Sequence, residues 1–205
     1  MDTENAVIES VSPSAAPVRG EARVLANDVD GNGRKIRLAI QNWPGALPGQ
    51  FVMVGAGAIA SVPRHDPLLP RPMAVYRDLG GRPECSSEAE IELLYRVVGR
   101  GTTLLAEATP GDRVTLVGPL GQGFPMPGAE PVARPAILVG GGTGIASLYE
   151  LARALADKGA PVTVLLGARS QLDLIGREDF AALGIELVCT TEDGSDGIRG
   201  RVTLP

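Results

Sequence analysis

The sequence predicts a β + α/β chain: a six-stranded antiparallel β-barrel followed by a short parallel α/β lobe. Three observations predict it. Between residue 21 and about residue 120, short apolar or alternating stretches are separated by Pro, Gly and Asp, the texture of a small barrel or sandwich. From Ala136 onward a continuous apolar run, a cluster of glycines and then Ile145, Leu148, Leu151, Ala152 and Leu155 at helical spacing mark a second, different unit. Finally, 205 residues exceed the usual single-domain size enough to accommodate two small domains. The expected division is 1–20 as a flexible leader, 21–130 as the barrel and 131–205 as the α/β lobe, which is short of strands.

Met1 to Gly20 is rich in Ser, Pro and Ala and has no periodicity, hence the leader. In "ARVLANDVDGNGRKIRLAIQ" two alternating stretches flank Asp30-Gly31-Asn32-Gly33, which predicts a hairpin with Ile36, Leu38 and Ile40 on its buried face. The stretches "GQFVMVGAG", "RPMAVYRD", "EIELLYRVVG" and "DRVTLVGPLG" supply four more strands. A short helix is expected at Thr102-Thr103, after Gly99 and Gly101. The change of texture falls at Glu130 to Pro135. Ala136 to Val139 then forms a strand, and the helix after it ends at Lys158-Gly159, a cation in the last turn with a glycine just beyond. "PVTVLLGARS" is the next buried strand, which completes a βαβ unit, and a helix near Arg177 to Leu183 with the strand "IELVCTTE" extends the sheet.

A net charge of -5 and a pI near 5.0 argue against nucleic acid or an anionic membrane as the main partner. No apolar run reaches the length of a membrane span, and the first twenty residues are acidic where a secretory signal is basic and then apolar; a cytoplasmic protein is expected. Cys85 and Cys189 stand far apart with no metal-ligand spacing and read as free thiols. His65, the single histidine, has no readable nucleophile or carboxylate partner, so no side-chain catalytic constellation is predicted.

What the sequence does offer is a set of anion sites. Gly140, Gly141 and Gly142 let backbone approach a ligand closely, and Thr143, Gly144 and Ile145 open a helix whose positive end suits a phosphate. The common dinucleotide fingerprint wants glycine at position 145, so this turn is a variant of it. After the following strand, where a ribose-binding carboxylate often stands, this chain has Gly167-Ala168-Arg169-Ser170. Arg169 admits a 2'-phosphate or simply faces solvent, and NADH against NADPH stays open. Arg71, held by a proline-punctuated loop, and the Gly99-Gly101-Thr102-Thr103 turn are two further candidates. Three anion sites on adjoining units suggest two nucleotides meeting at a domain boundary.

These residues carry a resemblance to the ferredoxin-NADP reductase superfamily, and within it to the electron-transfer subunit of class B dihydroorotate dehydrogenase. It rests on "PGQFVMV", "DPLLPRPMAVYR", "LLYRVVGRGTTLLAEATPGDRVTLVGPLGQGF", "ILVGGGTGIASLYELARAL" and "EDGSDGIRGRVT" in that order, with Gly118 to Phe124 the most specific string. The resemblance implies an FAD-binding barrel and an NAD(P)-binding lobe. Arg71 would pair with the flavin phosphates, and the strand Pro72, Met73, Ala74, Val75 and Tyr76 would run along the flavin ring. Gly99, Gly101, Thr102 and Thr103 would hold the pyrophosphate, and Gly140 to Gly144 would receive the nicotinamide nucleotide.

The family passes a hydride from NADH to FAD, then electrons through a [2Fe-2S] cluster to a partner subunit whose FMN oxidises dihydroorotate in pyrimidine biosynthesis. The flavin does the chemistry, and no side-chain acid or base is required. There are two departures: the motif's serine is Ala74 here, and two cysteines cannot supply the four thiolates of the cluster. The resemblance therefore implies a C-terminally truncated form or a divergent one without the cluster. A non-catalytic docking module and a free-standing flavin reductase are the alternative readings.

Overall fold

The turn Gly31-Asn32 links the first two strands of the first lobe. In this computed structural model, which describes residues 16–56, 69–81, 88–126 and 134–203, Gly31 takes φ 55°, the left-handed region that favours glycine. Strand β1 (Val18–Asp30) runs back against β2 (Gly33–Gln41), with an irregularity between Val24 and Ala26. His65 and Cys85 lie outside the described residues, as does most of the expected leader; Val18 to Gly20 are the first residues of β1, paired with β7.

The strands β3 (Phe51–Gly55), β4 (Arg71–Ala74), β5 (Arg77–Gly81), β6 (Glu88–Arg96) and β7 (Arg113–Leu120) complete an antiparallel sheet of order β4-β3-β7-β1-β2-β6-β5. Among the described residues this sheet has seven strands where six were expected. The stretch "RPMAVYRD", read as one strand, bends at Val75-Tyr76: β4 pairs with β3, whereas β5 pairs with β6. At the bend the Val75 N–H donates to the Gln50 carbonyl at 3.0 Å and the Tyr76 N–H to the Glu92 carbonyl at 2.9 Å. Because β4 and β5 are opposite edges of the sheet joined by two residues, the sheet has to curl. Alternate residues such as Ile36, Leu38, Ile91 and Leu93 point inward and are fully buried. The short helix α1 (Arg100–Ala106) lies between β6 and β7.

The second lobe is a parallel sheet of β8 (Ala136–Gly141), β9 (Val162–Ala168), β10 (Glu186–Thr191) and β11 (Ile198–Arg199), in the order β11-β10-β9-β8. The two-residue β11 was not anticipated. The expected single helix after β8 is divided into a 3-10 segment, Gly142–Ser147, and α2 (Tyr149–Asp157). Gly142 at φ 55° and the poor helix propensity of Gly144 explain the irregular start. Ile145, Leu148, Leu151, Ala152 and Leu155 are nonetheless all buried, as their spacing predicted. Gly159, at φ 77°, follows the end of α2, and α3 (Arg177–Ala181) precedes β10.

β8 was expected as a continuous apolar strand in a sheet short of strands, with an edge left exposed. It is an edge strand, and Ile137 and Val139 are 68% and 48% exposed, because α2 and α3 cover the other face. The core on the covered side takes in Tyr76 and Leu94 from the first lobe.

Candidate functional site: a cleft between the lobes

The hairpin turn of the first lobe is seated on the loop that follows β9. The Asn32 N–H donates to the Leu172 carbonyl at 2.7 Å, and the Gly176 N–H donates to the Asp30 carboxylate at 3.0 Å. Neither glycine of the turn has room for a side chain: a Cβ on Gly31 would run into the Leu172 carbonyl, and one on Gly33 would come within 2.7 Å of Ile175. A second contact lies at α3. Asp179 accepts the Tyr76 hydroxyl at 3.0 Å and pairs with Lys35 at 2.7 Å. Burial first, and then the Asp179 carboxylate, push the Tyr76 phenol far above its ordinary range, so it is a permanent donor. Tyr149 packs between Tyr76 and Phe180 with ring centroids 4.9 and 5.3 Å away, and the Arg77 guanidinium lies over its ring.

Locked in this way, the lobes enclose a cleft of about 820 Å³ at the C-terminal ends of β8, β9 and β10. The second lobe contributes Gly141, Gly142 and Thr143 on one side and Gly167, Ala168 and Arg169 on the other. Arg96 and Val98 enter from the first lobe, and Glu192 and Arg201 to Thr203 complete the rim. The carboxyl ends of parallel strands are where open α/β sheets take ligands.

A Cβ on Gly142 would meet nothing within 4 Å, and one on Gly141 only the Gly167 carbonyl at 3.7 Å. The glycines thus leave a bare backbone surface facing the cleft. Arg169 and Arg201 are exposed at its mouth, while Arg96 pairs with Asp173 at 2.7 Å. Asp173 also accepts from the Asn32 amide and the Ser170 hydroxyl, each at 3.0 Å. The Asn32 bond, followed by Ser170 and the Arg96 charge, holds its carboxyl below the usual range against the opposing effect of burial.

The sequence-predicted residues are only partly brought together here. Gly141, Gly142, Thr143 and Arg169 line the cleft. Gly140 is buried beneath Leu148, where a Cβ would come within 2.7 Å of that side chain, so it is a packing glycine; Gly144 is exposed. Arg71, Gly99, Gly101, Thr102 and Thr103 lie outside the cleft lining. Arg71 is half-buried and donates to the Leu69 carbonyl at 3.2 Å.

Thr102 is buried, and its hydroxyl accepts the Val98 and Gly99 N–H groups at 2.9 and 3.1 Å and donates to the Gly99 carbonyl. The Thr103 hydroxyl also donates to Gly99. Both hydroxyls are thus spent on capping α1, and only backbone remains for an anion. Met73, Val75 and Tyr76 are buried, Ala74 half-buried and Pro72 exposed.

Arg96, Asp173 and Arg201 were missed by sequence reading. Arg96 ends an apolar strand and Asp173 stands among Leu172, Leu174 and Ile175, and the two are far apart in sequence; a Ser-x-x-Asp spacing from Ser170 was the one local signal.

No family model matches the chain. Among curated proteins it is 44% identical over 156 residues to the electron transfer subunit of dihydroorotate dehydrogenase B (NAD(+)) of Bacillus caldolyticus, covering 76% of this chain and 56% of that protein. The subunit of Desulforamulus reducens is 40% identical over 159 residues, covering 77% and 55%. The chain thus spans about half the length of the curated relatives it matches. Among solved structures, an NADH-dependent reduced ferredoxin-NADP oxidoreductase superposes with a TM-score of 0.69 at 27% identity, covering 94% of this chain and 62% of that one. The ferredoxin reductase of carbazole 1,9a-dioxygenase superposes with a TM-score of 0.70 at 23% identity, covering 92% and 56%, which speaks for the fold alone. The curled antiparallel sheet followed by a parallel α/β lobe is the ferredoxin-NADP reductase-type fold, and by sequence this chain is a homologue of the dihydroorotate dehydrogenase B electron-transfer subunits.

Proposed function

We propose that the chain is a flavoprotein electron-transfer module that receives a hydride from NAD(P)H on FAD and hands the electrons to a partner. The observation that carries this reading is the cleft itself: glycine backbone at the ends of β8 and β9, with arginines from both lobes around it, suits a dinucleotide carrying negative phosphates. The relatives' names, electron transfer subunits of dihydroorotate dehydrogenase B (NAD(+)), support the redox chemistry and a catalytic partner subunit; in this reading that partner holds FMN and the pair works in pyrimidine biosynthesis in the cytoplasm. Among the described residues no helix is long and apolar enough to cross a membrane.

In this reading Arg71 and the backbone of Pro72, Met73, Ala74, Val75 and Tyr76 hold the FAD phosphates and flank its ring, with Gly99, Gly101, Thr102 and Thr103 at the pyrophosphate. Gly141 to Gly144 and Arg169 receive the nicotinamide nucleotide, while Gly140 packs the turn against Leu148. Bound FAD supplies the ability to accept a hydride and release electrons singly. The protein's own work is orientation and charge: Gly142 admits the nucleotide's backbone side, and the arginines offset its phosphates. The residues do not fit a [2Fe-2S] centre, since Cys189 is buried beside Arg177 and the chain has only two cysteines. No step is assigned to a cluster in this chain.

The test is the visible spectrum of the purified 205-residue chain supplied with FAD, before and after NADH is added without oxygen. A retained flavin band that bleaches is expected; a chain that takes up no flavin overturns the reading. Arg71→Ala should lose FAD on gel filtration. Gly142→Leu should keep FAD and raise the apparent KM for the nicotinamide nucleotide, and loss of FAD from that variant would mean the lobes are misassigned.

A further inference from the structure

We infer that Asp173 is a positioning residue: it ties the hairpin turn of the first lobe to the nucleotide cleft, through Asn32 on one side and Arg96 on the other. This rests on the reading above, in which the cleft takes a nicotinamide dinucleotide, and it names the residues that set how the dinucleotide's pyrophosphate is met.

The argument starts from connectivity. Asp173 belongs to the loop after β9, yet two of its three donors come from the other lobe: Asn32 from the β1–β2 turn at 3.0 Å and Arg96 from the end of β6 at 2.7 Å. The third, Ser170, is the residue after Arg169 and fixes the start of the same loop. The Asp173 side chain is 8% exposed and that of Arg96 30% exposed, so the pair sits at the floor of the cleft with the arginine toward the opening.

A guanidinium has five N–H donors and a planar fork, and one ion pair to Asp173 leaves it donors to offer a phosphate. An arginine already held in place loses less conformational freedom on binding than one that must be ordered by the ligand. The turn that supplies Asn32 has little play: Asn32 and Gly176 donate across the junction, and Gly31 and Gly33 sit flush against Leu172 and Ile175. Asn32 itself does not line the cleft, so a change there reaches the nucleotide only through Asp173.

Asn32→Ala is the test, made on the FAD-loaded chain with NADH and an artificial electron acceptor. It removes the amide donor and keeps the backbone bond from Asn32 to Leu172. The expected result is an apparent KM for NADH raised roughly three- to tenfold, the size of one ordinary hydrogen bond, since Arg96 and Ser170 still hold Asp173, with kcat within about twofold and flavin content unchanged. Asp173→Ala should raise KM further, and the double variant should be no worse than Asp173→Ala alone, because both changes break one chain of contacts.

A merely structural role would instead lower flavin content and thermal stability together without separating KM from kcat. If the wild-type chain is reduced by NADH and Asn32→Ala leaves KM unchanged, or the two substitutions act additively, this inference is overturned and the proposed function stands. If the wild-type chain binds no FAD or is not reduced by NADH, both fall.

Discussion

The two sheets handle their edges in opposite ways. In the curled sheet the outermost strands, β4 and β5, are consecutive in the chain, so the edges are drawn toward each other and the core of Val24, Ile36, Leu38, Ile91 and Leu93 is built from that lobe alone. In the parallel sheet β8 remains an edge, Ile137 and Val139 face outward, and the covered side completes its core with Tyr76 and Leu94 from the neighbouring lobe. An antiparallel sheet can close on itself through short connections, whereas a parallel sheet needs layers packed on its faces. The first lobe therefore reads as self-sufficient and the second as leaning on it, which is why the cleft between them depends on how they are docked.

The largest expected effect breaks that dependence at the shared core. Tyr76→Ala removes a fully buried ring, its packing on Tyr149 and its bond to Asp179, and should cost about 3–5 kcal/mol. Urea unfolding followed by two signals checks where the loss falls. Trp43 is the chain's single tryptophan and packs against the first core, so its fluorescence reports that lobe, while near-ultraviolet circular dichroism also senses Tyr149 and Phe180. The second lobe should unfold at lower urea than the Trp43 signal, and coincident shifts would mean that the two lobes form one cooperative unit. Leu38→Ala, in the self-contained core, should cost about 2–5 kcal/mol and move both signals together, since the second lobe loses its support when the first unfolds.

A gentler cut is Tyr76→Phe, which keeps the packing and deletes only the donor to Asp179. Lys35 still pairs with that carboxylate, so a loss of about 0.5–1.5 kcal/mol is expected in the same assay.

Acid should loosen the docking through Asp173. Its native carboxyl titrates below the ordinary 3.8, so its contribution is complete above that value and is lost as the pH falls through the lower native pKa. Stability measured from pH 6 downward should fall less steeply below about 4 in Asp173→Asn than in wild type. The smallest effect belongs to the open face: Ile137→Thr and Val139→Thr should each change stability by no more than about 0.5 kcal/mol, because both side chains already meet water. A larger loss, with a sedimentation coefficient that depends on concentration, would show that copies of the chain cover this face.

Local chemistry was legible in the residues. Asp-Gly-Asn-Gly announced the hairpin, the helical spacing from Ile145 to Leu155 announced which side chains are buried, and Lys158-Gly159 announced the end of α2. The glycine turn and Arg169 were found as cleft residues for the same reason: a bare backbone after a strand is a property of neighbours in sequence. The bend at Val75-Tyr76 was not legible, because "RPMAVYRD" alternates well enough for one strand and only the competing partners, Gln50 and Glu92, divide it. Thr102 and Thr103 looked like anion ligands by type, and the structure spends their hydroxyls on the cap of α1.

By itself, then, the sequence determined the two kinds of sheet, their order along the chain and the glycine surface that faces the cleft. These follow from periodicity, turn residues and backbone freedom within short windows. Only the tertiary structure decided that Asn32 and Asp173, 141 residues apart, would meet, that Arg96 would join them, and that Ile137 and Val139 would be left facing outward. Such pairings are set by how two folded surfaces fit, and no local pattern in either segment encodes the other.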